Sequence, residues 1–196
     1  MKKAIVFSMV LVLALGPLFR GLFFGFEMYF SFAILTALSN AYLLLKWKNK
    51  EQFFLRHGSL YCGLGLLVAY LLAFIQAVNI RGNIEAVMQM VVYLLLFLVL
   101  FDYYREHKEE ILSTFFAPIT AGGFLAAILG IAGYTHLFTG DYATINSTRI
   151  HATLQYANTA AVYFMLVALL LMAMILNGKR TWLKPFLAGV GHVLLM

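Results

Sequence analysis

The chain of 196 residues has few of the residues that hold soluble or disulfide-linked folds together. Its one cysteine, Cys62, has no partner in the chain, which excludes a disulfide framework. Charged residues make up 11% of the chain and hydrophobic residues 63%, whereas soluble domains are about a quarter charged and about half apolar. Disorder is excluded as well, because it needs low hydrophobicity and high charge. The remaining class is a polytopic α-helical membrane protein.

The sequence also lacks the motifs that mark soluble enzymes and metal centres. It contains no Gly-rich phosphate loop, no His-x-x-x-His pair and no cysteine cluster. His136, Asp141 and His151 lie around one loop but are irregularly spaced, so we predict no metal site and no cofactor. The apolar runs carry almost no ionisable residues, which disfavours a carboxylate-driven transporter.

Six apolar runs are long enough to cross a membrane, for which about 20 mostly apolar residues are needed. They cover residues 4–19 (extendable to 26), 28–45, 60–78, 86–101, 111–133 and 157–176. A seventh run, 185–196, has 12 residues, too few for a core about 30 Å thick at about 1.5 Å per residue. The predicted fold is an all-α polytopic transmembrane helical bundle with six complete spans and a truncated seventh. We expect residues 1–196 to form a single transmembrane domain, the N-terminal part of a longer protein.

The basic residues are distributed unevenly between alternate connections. Eleven lie at the N-terminus and in the even-numbered connections: Lys2, Lys3, Lys46, Lys48, Lys50, Arg56, Arg105, Lys108, Lys179, Arg180 and Lys184. The odd-numbered connections hold three, Arg20, Arg81 and Arg149, which three carboxylates balance. Because basic loops stay in the cytoplasm, the N-terminus is predicted to be cytoplasmic and the long loop at about 134–156 extracytoplasmic.

The net charge of +6 does not indicate a nucleic-acid partner. The basic residues are confined to short segments that flank the apolar runs, as in loops beside membrane spans. No polar segment carries a basic stripe with interleaved aromatics, the pattern expected of a nucleic-acid surface. We therefore expect membrane lipids as partners and no nucleic acid.

The first apolar run allows two interpretations. Lys2 and Lys3 followed by an apolar stretch fit a cleaved signal peptide with a site near Ala14. A retained helix is favoured. The second span brings the lysines after it back to the cytoplasm only if the first run also crosses the membrane.

The fifth run contains small residues and a proline that bear on helix packing. Gly122, Ala126 and Gly130 are four residues apart and share one helix face, which lets another helix approach closely. We expect this face to pack inside the bundle rather than to form a dimer face. Pro118 is expected to kink the helix, since it lacks a backbone donor.

The stretch from Ser147 to Ala161 reads STRIHATLQYANTAA, just before and into the sixth apolar run. It resembles a segment of the O-antigen ligase and polymerase family of membrane glycosyltransferases, Arg-x-x-Gly-Thr-Phe-x-Asn-x-Asn-x-x-Ala, which enters a helix from the extracytoplasmic side. Arg149, Thr153, Asn158 and Ala161 keep the spacing, while Ala152, Leu154 and Tyr156 replace the Gly, the Phe and the first Asn. The Gly16-to-Phe24 turn, which contains Arg20, is also similar to the family.

The resemblance implies a bacterial cytoplasmic (inner) membrane protein that takes a lipid-linked glycan donor, undecaprenyl pyrophosphate, and a glycan or lipid acceptor. Arg149 would bind the pyrophosphate, because a guanidinium stays protonated and offers paired donors. Thr153, Tyr156 and Asn158 would shape the donor site, and Arg20 is a minor candidate. The family's catalytic histidine lies beyond the equivalent of Met196, so no catalytic residue is assigned here.

Each of these residues also has a simpler explanation. A juxtamembrane arginine such as Arg149 can anchor to lipid phosphates, Tyr156 can be an interfacial aromatic, and Asn158 can cap the sixth span. Two other functions stay open. A transporter or flippase fragment would show internal symmetry or broken helices in matching positions, and a non-catalytic membrane subunit or remnant would act through helix packing alone.

Overall fold

A computed structural model describes residues 1–22, 25–52, 58–110, 112–135, 137, 144–145, 149–150, 152–154 and 156–177. Its α-helices are α1 (Lys2–Leu15), α2 (Gly25–Lys48), α3 (Gly58–Leu72), α4 (Ile80–Glu106), α5 (Ala117–Tyr134) and α6 (Ala157–Asn177). The two-residue strands β1 (Thr144–Ile145) and β2 (Arg149–Ile150) pair antiparallel. The predicted seventh run, His136, Asp141 and His151 lie outside the described residues.

The predominantly helical fold agrees with the sequence prediction. In the part of the chain that the structure describes, four helices are long and apolar enough to cross a membrane: Gly25–Lys48, Ile80–Glu106, Thr114–Tyr134 and Ala157–Met174. The third predicted run forms a shorter apolar helix, Leu60–Gln76, and the first forms the 14-residue α1. The chain therefore has the helices of a multi-pass membrane protein, while the count of six spans stays a prediction.

The first helix ends earlier than its apolar run. Extension of this run to residue 26 is wrong, because α1 stops at Leu15 and the chain turns through two 3-10 segments, Gly16–Leu18 and Arg20–Leu22. Pro17 occupies the first turn of the earlier 3-10 segment, where its missing N–H is not needed.

The described residues divide into two compact units. The first unit contains Met1–Met9 and Tyr29–Lys108, and the second contains Val10–Met28 and the described part of Glu109–Met196.

In the first unit, α2 and α4 run in the same direction. Near their N-terminal ends, the Tyr29 hydroxyl donates to Glu85 over 2.7 Å. Near their C-terminal ends, the Tyr42 hydroxyl donates to Asp102 over 2.8 Å. The intervening α3, which packs on α4 with Gly63 against Leu94, therefore returns the chain from one end to the other. This alternation agrees with the predicted loop pattern; which end faces the cytoplasm stays a prediction.

In the second unit, small residues of α5 let two other segments approach its backbone. A Cβ on Gly122 would lie 2.1 Å from the carbonyl oxygen of Ala14, at the end of α1, and one on Gly123 would lie 2.7 Å from the Val167 side chain of α6. Ala126 and Gly130 on the same face are buried. The expected packing role of this face is confirmed.

Pro118 lies beside a change of helix type. A π-helical turn, Leu112–Phe116, runs directly into α5, and Pro118 is the second residue of α5. Prolines and π-helical turns are both recognised sites of helix bending. A break in regular α-helical geometry therefore lies next to Pro118, and the kink expected there stays a prediction.

Candidate functional site

The turn after α1 holds an unusual backbone. Arg20, Gly21 and Leu22 have φ values of 52°, 67° and 58° in succession. Glycine tolerates this left-handed region, but each side-chain-bearing residue there costs about 1–2 kcal/mol. The surrounding structure must hold the turn in place. Such strain is concentrated at functional sites, which makes the turn a candidate site.

The segment before α6 packs onto this turn. Ala152, Thr153 and Leu154 are all buried, and the Thr153 hydroxyl donates to the Pro17 carbonyl oxygen, 136 residues away in sequence. A Leu154 methyl group lies 3.0 Å from the position of a Cβ on Gly21. The two segments that carry the family resemblance thus meet in the second unit. We call the residues Gly16–Leu22 and 152–154 together the paired-turn site.

The second segment of the paired-turn site is also strained. Ala152 has a φ of 49° and no exposed surface. Among the described residues, four non-glycine residues have positive φ, and three of them, Arg20, Leu22 and Ala152, belong to the paired-turn site. The strain is therefore localised in one small region.

The predicted site residues take different positions around the paired-turn site. Thr153 is central to it, and Arg20 lies in its first segment, half-buried. The backbone of Arg149 is in β2, opposite Ile145 of β1 and three residues before Ala152; its side chain lies outside what the structure describes. Tyr156 is 55% exposed, as an interfacial aromatic would be.

Asn158 is not the N-cap that its position suggested. The α6 helix begins at Ala157, and the Tyr156 carbonyl already accepts a bond of 3.0 Å from the Ala160 N–H. Tyr156 is therefore the flanking residue and Asn158 is the second helical residue. Asn158 is instead one of the residues that line a groove.

The groove runs along the first turns of α6. It has a volume of about 410 Å³ and is lined by Asn158, Thr159, Val162, Tyr163 and Leu166. The polar residues Asn158 and Thr159 come first in the sequence, closest to residues 152–154, and the apolar residues Val162 and Leu166 follow. Within the described residues the hydroxyl oxygen of Tyr163 is enclosed and has no hydrogen-bond partner.

The first unit contains a buried ion cluster that the sequence analysis missed. Lys46 has no exposed surface, and its ammonium group donates to Asp102 and, over 2.9 Å, to Glu106. Lys46 and Asp102 were assigned to loops, but they lie inside α2 and α4. Two spacings of four, Tyr42 to Lys46 and Asp102 to Glu106, place each pair on one helix face and are the signal that could have revealed the cluster.

The N-terminus extends this cluster. Lys2 pairs with Glu51 and lies 3.8 Å from Glu106. The hydrogen bond from Lys2, supplemented by one from Asn49, holds the pKa of the Glu51 carboxyl below its usual range. Within the described part of the chain, no group of three His, Cys, Asp or Glu residues is arranged to hold a metal ion.

Comparison with protein-family models, with curated proteins and with solved structures gives no match. The family resemblance therefore depends on the residues of the Ser147-to-Ala161 stretch and of the Gly16-to-Phe24 turn alone.

Replacement of Thr153 by Val is expected to lower the free energy of unfolding by about 1–2 kcal/mol, because it leaves the buried Pro17 carbonyl without its donor. Thr153→Ser keeps the hydroxyl and serves as the control. Denaturant titration of the purified protein in detergent measures both. Equal stability of the Val and Ser variants would show that the hydrogen bond does not join the two segments.

Proposed function

We propose that the chain is the N-terminal membrane part of an O-antigen ligase-like glycosyltransferase. The complete enzyme would transfer a glycan from undecaprenyl pyrophosphate to an acceptor on the extracytoplasmic face of the bacterial cytoplasmic membrane. The observation that supports this best is the hydrogen bond from Thr153 to Pro17. It joins the two segments whose sequences separately resemble that family.

The chemistry of the site suits a lipid pyrophosphate. A diphosphate at a membrane surface needs fixed positive charge, and an arginine offers several donors that never lose their protons. Arg149 is in β2, three residues before the buried segment 152–154. Free N–H groups in the first turn of α6 and the helix dipole add to the preference for an anion. In this proposal Arg149 holds the pyrophosphate, with Arg20 in a minor role and Thr153, Tyr156 and Asn158 shaping the site.

Substitution of Arg149 by Ala tests the proposal. We expect the purified chain in phosphatidylcholine nanodiscs to bind undecaprenyl pyrophosphate about ten- to a hundredfold more weakly after Arg149→Ala, the loss of one or two charge-assisted hydrogen bonds. Arg81→Ala is the control, because Arg81 is a second cation predicted on the outer face, is 85% exposed and belongs to the other unit.

Two results would contradict the role of Arg149. Unchanged binding after Arg149→Ala would exclude it from the donor site. An equal loss after Arg81→Ala would show that any outer-face cation attracts the lipid phosphate, as expected of simple interfacial anchors.

A transporter or flippase is the second candidate, and the buried ion cluster favours it. Ionisable residues within spans are rare and often mark ion or proton pathways. The position of the cluster argues against a transporter. It lies toward the C-terminal ends of α2 and α4 rather than at mid-helix, where an ion pair suits a structural role in holding the two helices together. The double variant considered in the Discussion distinguishes the two roles.

A further inference from the structure

We infer that one end of the first unit binds the headgroups of anionic phospholipids. Three segments meet at this end: the N-terminus and the C-terminal ends of α2 and α4. Lys2 pairs with Glu51, which follows α2, and Lys46 of α2 donates to Glu106 of α4 over 2.9 Å. We call residues 2–3, 46–51 and 102–108 together the basic end. The inference goes beyond the proposed function and does not depend on it.

Positive charge predominates at the basic end. It contains seven lysine and arginine side chains and three carboxylates. At the opposite end of the same two helices, in the described part of the first unit, the single cation Arg81 is balanced by Glu85 at 3.1 Å. The two ends of the unit therefore differ in net charge, and the basic end has an excess of four cationic side chains.

The carboxylates of the basic end are paired within the protein. Asp102 and Glu106 both accept from Lys46, which has no exposed surface. Glu51 accepts from Lys2, whose side chain is 20% exposed. Each carboxylate therefore has its charge compensated by one of the two buried or largely buried lysines.

The outer surface of the basic end carries the remaining cations. Lys48, Lys50 and Lys108 are exposed, and within the described residues none of the three forms an ion pair. Trp47 lies among them in sequence and is 75% exposed. A tryptophan beside lysines is typical of a membrane–water boundary, where the ring meets acyl chains and the cations meet lipid phosphates.

The lengths of the helices place the basic end at the depth of the lipid headgroups. The helix α2 has 24 residues and α4 has 27. At about 1.5 Å per residue they are about 36 and 40 Å long, whereas the hydrocarbon core is about 30 Å thick. Their ends therefore extend into the layer of lipid phosphates. An anionic headgroup there gains about fivefold in affinity for each lysine near the surface, so charge complementarity and the exposed ring favour an anionic lipid.

Trp47 itself can report which lipids surround the basic end. The chain has two tryptophans, so Trp182→Phe leaves Trp47 as the one fluorophore. Phosphatidylglycerol with brominated chains, added as a minor component of phosphatidylcholine bilayers, quenches Trp47 in proportion to its contact with the ring. We expect quenching that corresponds to about three- to tenfold enrichment over brominated phosphatidylcholine. The enrichment is expected to fall at about 1 M salt, where charges more than about 3 Å apart are screened.

Two triple variants separate charge from shape. In the Trp182→Phe background, Lys48→Gln/Lys50→Gln/Lys108→Gln is expected to reduce the enrichment to less than about twofold, while the three corresponding Lys→Arg changes keep it. Arg81→Gln, at the opposite end of the unit, is the control and is expected to have no effect. All of these side chains are exposed, so the unfolding midpoint in detergent is expected to stay the same.

Four results would overturn the inference. Equal quenching by the two brominated lipids would show that the basic end does not select anionic lipid. Enrichment that survives the triple Gln variant, or that Arg81→Gln reduces equally, would show that these lysines are not the binding surface. Loss of enrichment in millimolar inorganic phosphate at constant ionic strength would assign the surface to a soluble anion instead of a lipid. Each result is independent of whether the chain binds undecaprenyl pyrophosphate.

Discussion

Replacement of Lys46 by Met is expected to lower the free energy of unfolding by about 3–5 kcal/mol. The ammonium group is fully buried and donates to Asp102 and Glu106. Its removal leaves the Asp102 carboxylate buried with the Tyr42 hydroxyl as a neighbour, and an uncompensated buried charge is strongly destabilising. Titration of the purified protein from mild detergent into a denaturing one, followed by circular dichroism, measures the change.

The matched control lies two residues away in the same helix. Lys48 is exposed, so Lys48→Met is expected to change stability by no more than about 0.5 kcal/mol. If Lys46→Met and Lys48→Met were equally stable, the buried pair would not hold α2 to α4.

The double variant Lys46→Met/Asp102→Leu separates a structural role from a transport role. Replacing both charges by apolar side chains is expected to recover most of the lost stability, because a buried ion pair costs nearly as much to desolvate as its attraction returns. A folded double variant that still binds undecaprenyl pyrophosphate assigns the cluster to helix packing. Recovered stability with loss of an ion flux across proteoliposomes would instead favour the transporter.

Replacement of Gly122 by Ala is expected to destabilise the protein by about 2–3 kcal/mol. The added Cβ would lie 2.1 Å from the carbonyl oxygen of Ala14. A backbone oxygen cannot rotate away as a side chain can, so α5 must move from the end of α1. The same denaturant titration measures the loss.

Gly65→Ala is the control for this substitution. A Cβ on Gly65 meets nothing within 4 Å, and alanine is the better helix former by about 0.5–1 kcal/mol. We therefore expect Gly65→Ala to be neutral or stabilising. A Gly122 variant that matched it would contradict the close approach of α5 and Ala14.

The sequence predicted the helices better than their ends. Each of the six apolar runs contains a helix, because continuous hydrophobicity reports membrane helices directly. The observed helix ends differ from the ends of the apolar runs where a charged residue of one helix pairs with a charged residue of another. Lys46 and Asp102 extend α2 and α4 beyond the apolar runs, since each neutralises the other, and a hydropathy pattern cannot show a partner 56 residues away.

The candidate site could be predicted only in part. The stretch with Arg149 and Thr153 and the turn with Arg20 were each recognisable from sequence, but their meeting depends on the hydrogen bond from Thr153 to Pro17. The spacing of residues along a chain does not show which distant residues come into contact. The capping role expected of Asn158 was wrong, because a preference for helix ends cannot fix the end to within two residues.

The proposed function requires the Arg149 segment to face the extracytoplasmic side, where a lipid-linked glycan would reach it. The most direct test places single cysteines, in a Cys62→Ser background, at Leu137 in the predicted outer loop and at Lys48 in the predicted inner connection. Both side chains are exposed. We expect a membrane-impermeant maleimide to label Leu137→Cys in intact cells and Lys48→Cys only after permeabilisation. Labelling of Lys48→Cys in intact cells, with Leu137→Cys protected, would invert the protein and contradict the proposed function.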